Sequence, residues 1–110
     1  AATLDTACMQ SAVDKRETAL IAGIDTYSAS VRSALSVRKD ALKAAWAITD
    51  KTQRDAALKA AWVAFQGTWK NAATAMKESR NAAWKTFKTD AKACRQSDAD
   101  SEGQGTDMSL

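Results

Sequence analysis

Large and small apolar residues recur along this chain with one period, eleven residues, on both sides of the polar break Thr49-Asp50-Lys51-Thr52-Gln53. Before the break, Met9, Leu20, Val31 and Leu42 keep that step, as do Val13, Ile24, Leu35 and Trp46. With Tyr27 they form one apolar stripe of i, i+4, i+7 type, the pattern of an amphipathic helix. After the break the large residues are aromatic: Phe65, Met76 and Phe87 share the step, Trp62, Ala73 and Trp84 share it, and Leu58 and Trp69 lie between them. The break carries its own start signal, because Asp50 and Gln53 have capping-box spacing, with Thr52 and Asp55 as a second candidate.

The small residues predict how the two helices meet. Cys8, Ala19, Ser30 and Ala41 step by eleven, as do Ala12, Gly23, Ala34 and Ala45; beyond the break the same holds for Ala61, Ala72, Ala83 and Cys94 and for Ala57, Thr68, Ser79 and Asp90. Reflected about Lys51, so that paired numbers sum to 102, each set falls on another, and the two cysteines fall opposite each other. The expected fold class is therefore all-α: a long antiparallel two-helix hairpin, a coiled coil with an 11-residue repeat, straight or slightly right-handed in its winding. Its expected organisation is a single hairpin domain over 1–96, with helices at about 5–48 and 53–96 and a turn at about 49–52, then an acidic tail over 97–110. Gly23 belongs to the small-residue seam, since the periodicity continues on both sides of it.

Composition is consistent with this. The 110 residues include no proline and four glycines, which permits very long helices. No apolar run approaches the roughly 20 residues of a membrane span. A chain that starts Ala1-Ala2-Thr3 fits a mature exported protein or a trimmed one, and the mirror-placed Cys8 and Cys94 are read as a disulfide in an oxidising compartment, against a pair of buried thiols. The expected location is secreted or cell surface.

Charge is divided unevenly. Residues 1–50 hold six Lys/Arg and six Asp/Glu, residues 51–96 hold ten and three, and residues 97–110 hold four acids and no base. Lys59, Lys70 and Lys92 lie on one eleven-residue line and Lys77 and Lys88 on another, a basic face that is either simply solvated or a surface for a polyanion. The tail reads as disordered by composition, and its charge also suits docking on the basic arm of a neighbouring copy. Asp98, Asp100, Glu102 and Gly103 begin a calcium-loop pattern, but Ser109 stands where the bidentate Glu belongs, so no metal is expected.

Catalytic chemistry finds no carrier. The chain has no histidine, both cysteines are paired in the hairpin register, and no phosphate-binding Gly-rich loop or metal-ligand spacing is present. Asp14 and Glu17 sit at i, i+3 on a solvated face. The protein is read as no enzyme, with no cofactor and no small-molecule substrate.

What stands out instead is surplus aromatic surface. With small residues filling the seam, Trp46, Trp62, Phe65, Trp69 and Trp84 are expected on the flanks, either curled over the seam or forming an interface between copies that meets a stripe of Leu20, Ile24, Tyr27 and Leu35. The sequence-based expectation is a structural subunit that self-assembles into an extracellular filament or surface array. The alternatives are a polyanion-binding exported protein, for nucleic acid or acidic polysaccharide, using Lys59, Lys70, Lys77, Lys88 and Lys92, and a membrane-active basic helical hairpin. The segments Arg38-Lys-Asp-Ala-Leu-Lys-Ala-Ala-Trp46, Arg54-Asp-Ala-Ala-Leu-Lys-Ala-Ala-Trp-Val-Ala-Phe65, Ala83-Trp-Lys-Thr-Phe87 and Ala93-Cys-Arg95 together resemble small exported Ala- and Trp-rich helical proteins of candidate-phylum bacteria. That resemblance covers most of residues 8–95 and implies export and a paired N- and C-terminal cysteine; that group has no assigned activity.

Overall fold

A computed structural model describes residues 5–94. Helix α1 (Thr6–Trp46) and helix α2 (Lys51–Ala93) pack as an antiparallel hairpin, and a Cys8–Cys94 disulfide staples its open end. Among the described residues there is no strand. Each helix starts on an aspartate: Asp5 Oδ1 accepts from the Cys8 amide at 3.0 Å, and Asp50 Oδ2 accepts from the Gln53 amide at 2.9 Å. Each thereby satisfies one of the four amides that a helix start leaves without an intrahelical acceptor. Asp50, not the Thr52/Asp55 alternative, is thus the cap of α2.

The helix ends differ from those expected. α1 stops at Trp46 because Ala47 and Ile48 donate three residues back, to Ala44 and Ala45 at 3.1 Å, which tightens and closes the last turn. With Asp50 as cap, α2 starts at Lys51, and the connection is Ala47–Asp50 where the sequence suggested 49–52. The tail over 97–110, with its docking and calcium readings, lies outside the described residues.

The hairpin divides into two compact units: a disulfide unit, formed by the described residues through Asp25 and from Met76 onward, and a turn unit, Thr26–Ala75. Their interiors are built differently. The disulfide unit has a core of Ala12, Leu20, Ala83, Trp84, Phe87 and Ala91, with Met9, Val13 and Ala19 packed against it. In the turn unit the buried apolar residues are Ala34, Ala45, Ala61 and Ala72, all of them alanine.

The paired numbers summing to 102 hold where they can be checked inside the disulfide unit. The Cys8 and Cys94 Cα atoms lie 5.6 Å apart, within the usual range for a disulfide. At Gly23 an added Cβ would stand 2.9 Å from Ser79 Oγ and 3.4 Å from Met76 Sδ. Close approach of the two helices is therefore what glycine serves there.

Candidate functional site: a repeated arginine and aromatic clamp

Moving 22 residues forward on α1 and 22 back on α2 converts one unit's set of residues into the other's. Arg16, Trp84 and Phe87 become Arg38, Trp62 and Phe65; Ala12, Ala19, Leu20 and Ala83 become Ala34, Ala41, Leu42 and Ala61. The geometry repeats with the residues. The Arg16 guanidinium lies 4.5 Å from the Trp84 ring centre and 4.4 Å from that of Phe87; Arg38 lies 4.4 Å from Trp62 and 4.3 Å from Phe65. In both units the Trp and Phe meet edge to face, at 5.8 Å and 84° for Trp84 and Phe87 and at 6.5 Å and 85° for Trp62 and Phe65. A planar guanidinium over aromatic faces is an attractive contact, worth more as water is excluded.

Exclusion of water is where the two clamps part. Arg16 is 5% exposed, Trp84 6% and Phe87 1%, and the Arg16 charge is met by Glu17 Oε1 at 2.9 Å. Trp62 is 47% exposed and Trp69 49%, with Phe65 half-buried beside them. The residue equivalent to Glu17 is Lys39, and the residue equivalent to the fully buried Ala91 is Trp69. Trp69 stacks on Phe65 at 6.3 Å and 28°, and its indole Nε1 donates to Tyr27 Oη at 2.8 Å. The turn-unit clamp is thus an open shelf of three rings with an arginine laid across two of them.

Against the sequence-based expectations, Trp46, Trp62 and Trp69 are exposed and Phe65 is half-buried, whereas Trp84 is core. The flank reading fails for Trp84 because its ring, under Arg16, packs with Leu20, Ala83, Phe87 and Ala91, small and large residues that together close over it. Leu20, expected in the receiving stripe, is likewise in that core, while Ile24 and Leu35 are exposed. Trp46 stands apart from the shelf, near the turn, with the Arg54 guanidinium 5.4 Å from its ring centre. The lysines Lys59, Lys70, Lys77, Lys88 and Lys92 are all exposed on α2, but Lys59 and Lys70 belong to the turn unit and the other three to the disulfide unit.

Sequence reasoning missed the arginines. Their signal was available: Arg16 and Arg38 stand 22 residues apart, twice the period already read, as do Trp62 and Trp84. Charge also separates by unit. The turn unit carries eight Lys/Arg and three Asp/Glu, a net +5, against seven and six in the described part of the disulfide unit.

Each unit also has an open groove floored by its Arg and Phe. One, about 240 Å³, is bordered by Lys15, Ala19, Ala83, Thr86 and Asp90, with Lys15 Nζ and Asp90 Oδ2 3.4 Å apart. The other, about 250 Å³, has Val37, Ala41, Ala61, Ala64 and Thr68 at the equivalent places. Among the described residues no group of three His, Cys, Asp or Glu could hold a metal ion, and no helix is long and apolar enough to cross a membrane. No family model, curated protein or solved structure matches the chain.

Proposed function

We propose that this protein is a self-assembling structural subunit, exported and built into an extracellular filament or surface array, and that the turn unit's aromatic shelf is its assembly surface. The carrying observation is the contrast between equivalent clamps: the same Arg, Trp and Phe are sealed in one unit and left open in the other. A chain able to bury this set once, yet exposing it a second time with an added tryptophan, has a surface suited to partner burial. The disulfide fits this setting, since disulfides persist outside the reducing cytosol.

Light scattering and electron microscopy of the native protein test the reading. Concentration-dependent assembly is expected for the natural chain, and Trp69→Ala should weaken it at least tenfold while leaving helix content intact. A natural chain that stays monodisperse and monomeric at high concentration sinks the proposal.

One observation favours a second reading, polyanion binding: Lys59 and Lys70 border the tryptophans in a unit of net +5. Rings interleaved with cations suit single-stranded nucleic acid as well as acidic polymers. That reading requires binding that weakens steeply with salt and is lost in Lys59→Glu/Lys70→Glu.

A further inference from the structure

On α2 the shelf has a definite border. Lys59, Trp62, Gln66, Trp69 and Lys70 follow one another at spacings of three, four, three and one, so they share one helix face, and Lys59 and Lys70 are exposed at either end of it. Across from them α1 offers exposed Leu35 between Arg32 and Lys39. No carboxylate falls between Lys59 and Lys70 on α2 or between Arg32 and Lys39 on α1, and Asp55, one turn before Lys59, is held by Lys51 Nζ at 2.8 Å. Two such surfaces brought face to face would set like charges against each other, so the shelf is unsuited to pairing with itself.

The chain carries a surface of the opposite character. In the disulfide unit, Asp14, Glu17, Ile21, Ile24 and Asp25 are spaced by three, four, three and one along α1, and all are exposed. Ile21, at 59%, and Ile24 are this unit's two exposed large apolar residues, and three carboxylates flank them. Apolar surface edged with acids matches apolar surface edged with bases, in both charge and helical spacing.

We infer that the occupant of the aromatic shelf is the Asp14–Asp25 strip of a second copy of this chain, so that subunits join head to tail through two different surfaces. This rests on the reading of the shelf as an assembly surface and adds the identity of what it receives. Ile21 and Ile24 lie on Trp62 and Trp69, while Asp14 and Asp25 meet the Lys59 and Lys70 borders. Such a heterologous contact leaves a free strip at one end and a free shelf at the other, and so propagates unless the rotation closes a ring.

Two blocked chains test it. One carries Trp69→Ala, or Lys59→Glu/Lys70→Glu should the first alter folding, and keeps its strip. The other carries Ile21→Lys/Asp25→Lys, exposed positions outside the core, and keeps its shelf. Each alone should sediment as a monomer of 11.8 kDa. Mixed, they should form a one-to-one complex of twice that mass and grow no further, because one good shelf and one good strip remain. A strip-blocked chain that dimerises alone would show that the shelf binds another shelf, and one that assembles like the natural chain would show that the strip is unused. A mixture that stays monomeric while the natural chain assembles also overturns the inference, and leaves assembly itself standing. A natural chain that does not assemble removes the underlying reading instead.

Discussion

The same substitution made at two repeat-equivalent positions should give unequal losses of stability. Trp84→Ala removes a ring that is 6% exposed, packed among Leu20, Ala83, Phe87 and Ala91, and covered by the Arg16 guanidinium at 4.5 Å. Truncating a buried aromatic costs ~3–5 kcal/mol, and the remaining guanidinium would face a cavity beside Phe87. Trp62→Ala removes a ring that is 47% exposed, so part of its surface is already in water and its contact with Arg38 is of the solvated kind, worth ~0.5–1 kcal/mol. A total of ~1–2 kcal/mol follows for that variant. At roughly 4–8 °C per kcal/mol for a domain of this size, Trp84→Ala should lower Tm by ~12–40 °C and Trp62→Ala by ~4–16 °C, about a third as much at any one slope. The melts are followed by far-UV circular dichroism at dilution low enough that assembly adds no stability through mass action. Trp84→Phe is the control: the indole Nε1 has no hydrogen-bond partner among the described residues, so this change loses ring area but no hydrogen bond. Equal losses at positions 62 and 84 would refute the assignment of one clamp to the core and the other to the surface.

Three further outcomes concern the frame that holds the clamps. Replacing both cysteines, Cys8→Ser/Cys94→Ser, opens a loop of 86 residues' separation and should cost about 4–5 kcal/mol on the chain-entropy model. Hydrogen exchange should then rise first in the disulfide unit, and unchanged protection there would argue against the staple's role. Gly67→Ala meets nothing within 4 Å and should stabilise by roughly 1 kcal/mol through helix propensity. Gly23→Val, by contrast, adds bulk against Ser79 Oγ and Met76 Sδ and should cost about 1–3 kcal/mol; calorimetry reads both changes, and a stabilising Gly23→Val would contradict the close helix approach.

How much of this was legible follows from what each feature depends on. Register depends on residues that recur with a fixed step, so Cys8 opposite Cys94 and Gly23 opposite Ser79 could be read from spacing alone. The turn could be placed within two residues because Asp50 and Gln53 carry a local capping signal. Burial of Trp84 was not legible in the same way. The apolar pattern treats Trp62 and Trp84 alike, and the difference lies in what stands beside and across from each ring. Leu20 is deeply buried where Leu42 is half-buried, and half-buried Val13 corresponds to exposed Leu35. Those are tertiary facts. The arginines were legible only with α1 moved forward and α2 moved back by 22 residues, which sets Arg16 on Arg38, Glu17 on Lys39 and Ala91 on Trp69.

Those two differences both oppose closure of the turn unit. Sealing its shelf as the other unit's is sealed would bury the remaining half of one or two tryptophans, at ~150–250 Å² for a whole ring and about 25 cal/mol per Å², a gain of ~2–3 kcal/mol for each. It would also take the Arg38 guanidinium out of water. Arg16 tolerates burial beside Glu17 at 2.9 Å, but Arg38 has Lys39 at the matching place, and a charge buried without its counter-ion costs several kcal/mol. The charge term offsets the apolar gain, and the bulk of Trp69 where Ala91 allows closure opposes the same step. Closure becomes favourable only when a carboxylate arrives together with apolar surface. Such a pair is absent from the shelf's own borders and present on the Asp14–Asp25 strip, so the substitution that prevents this chain from sealing itself also selects what can seal it.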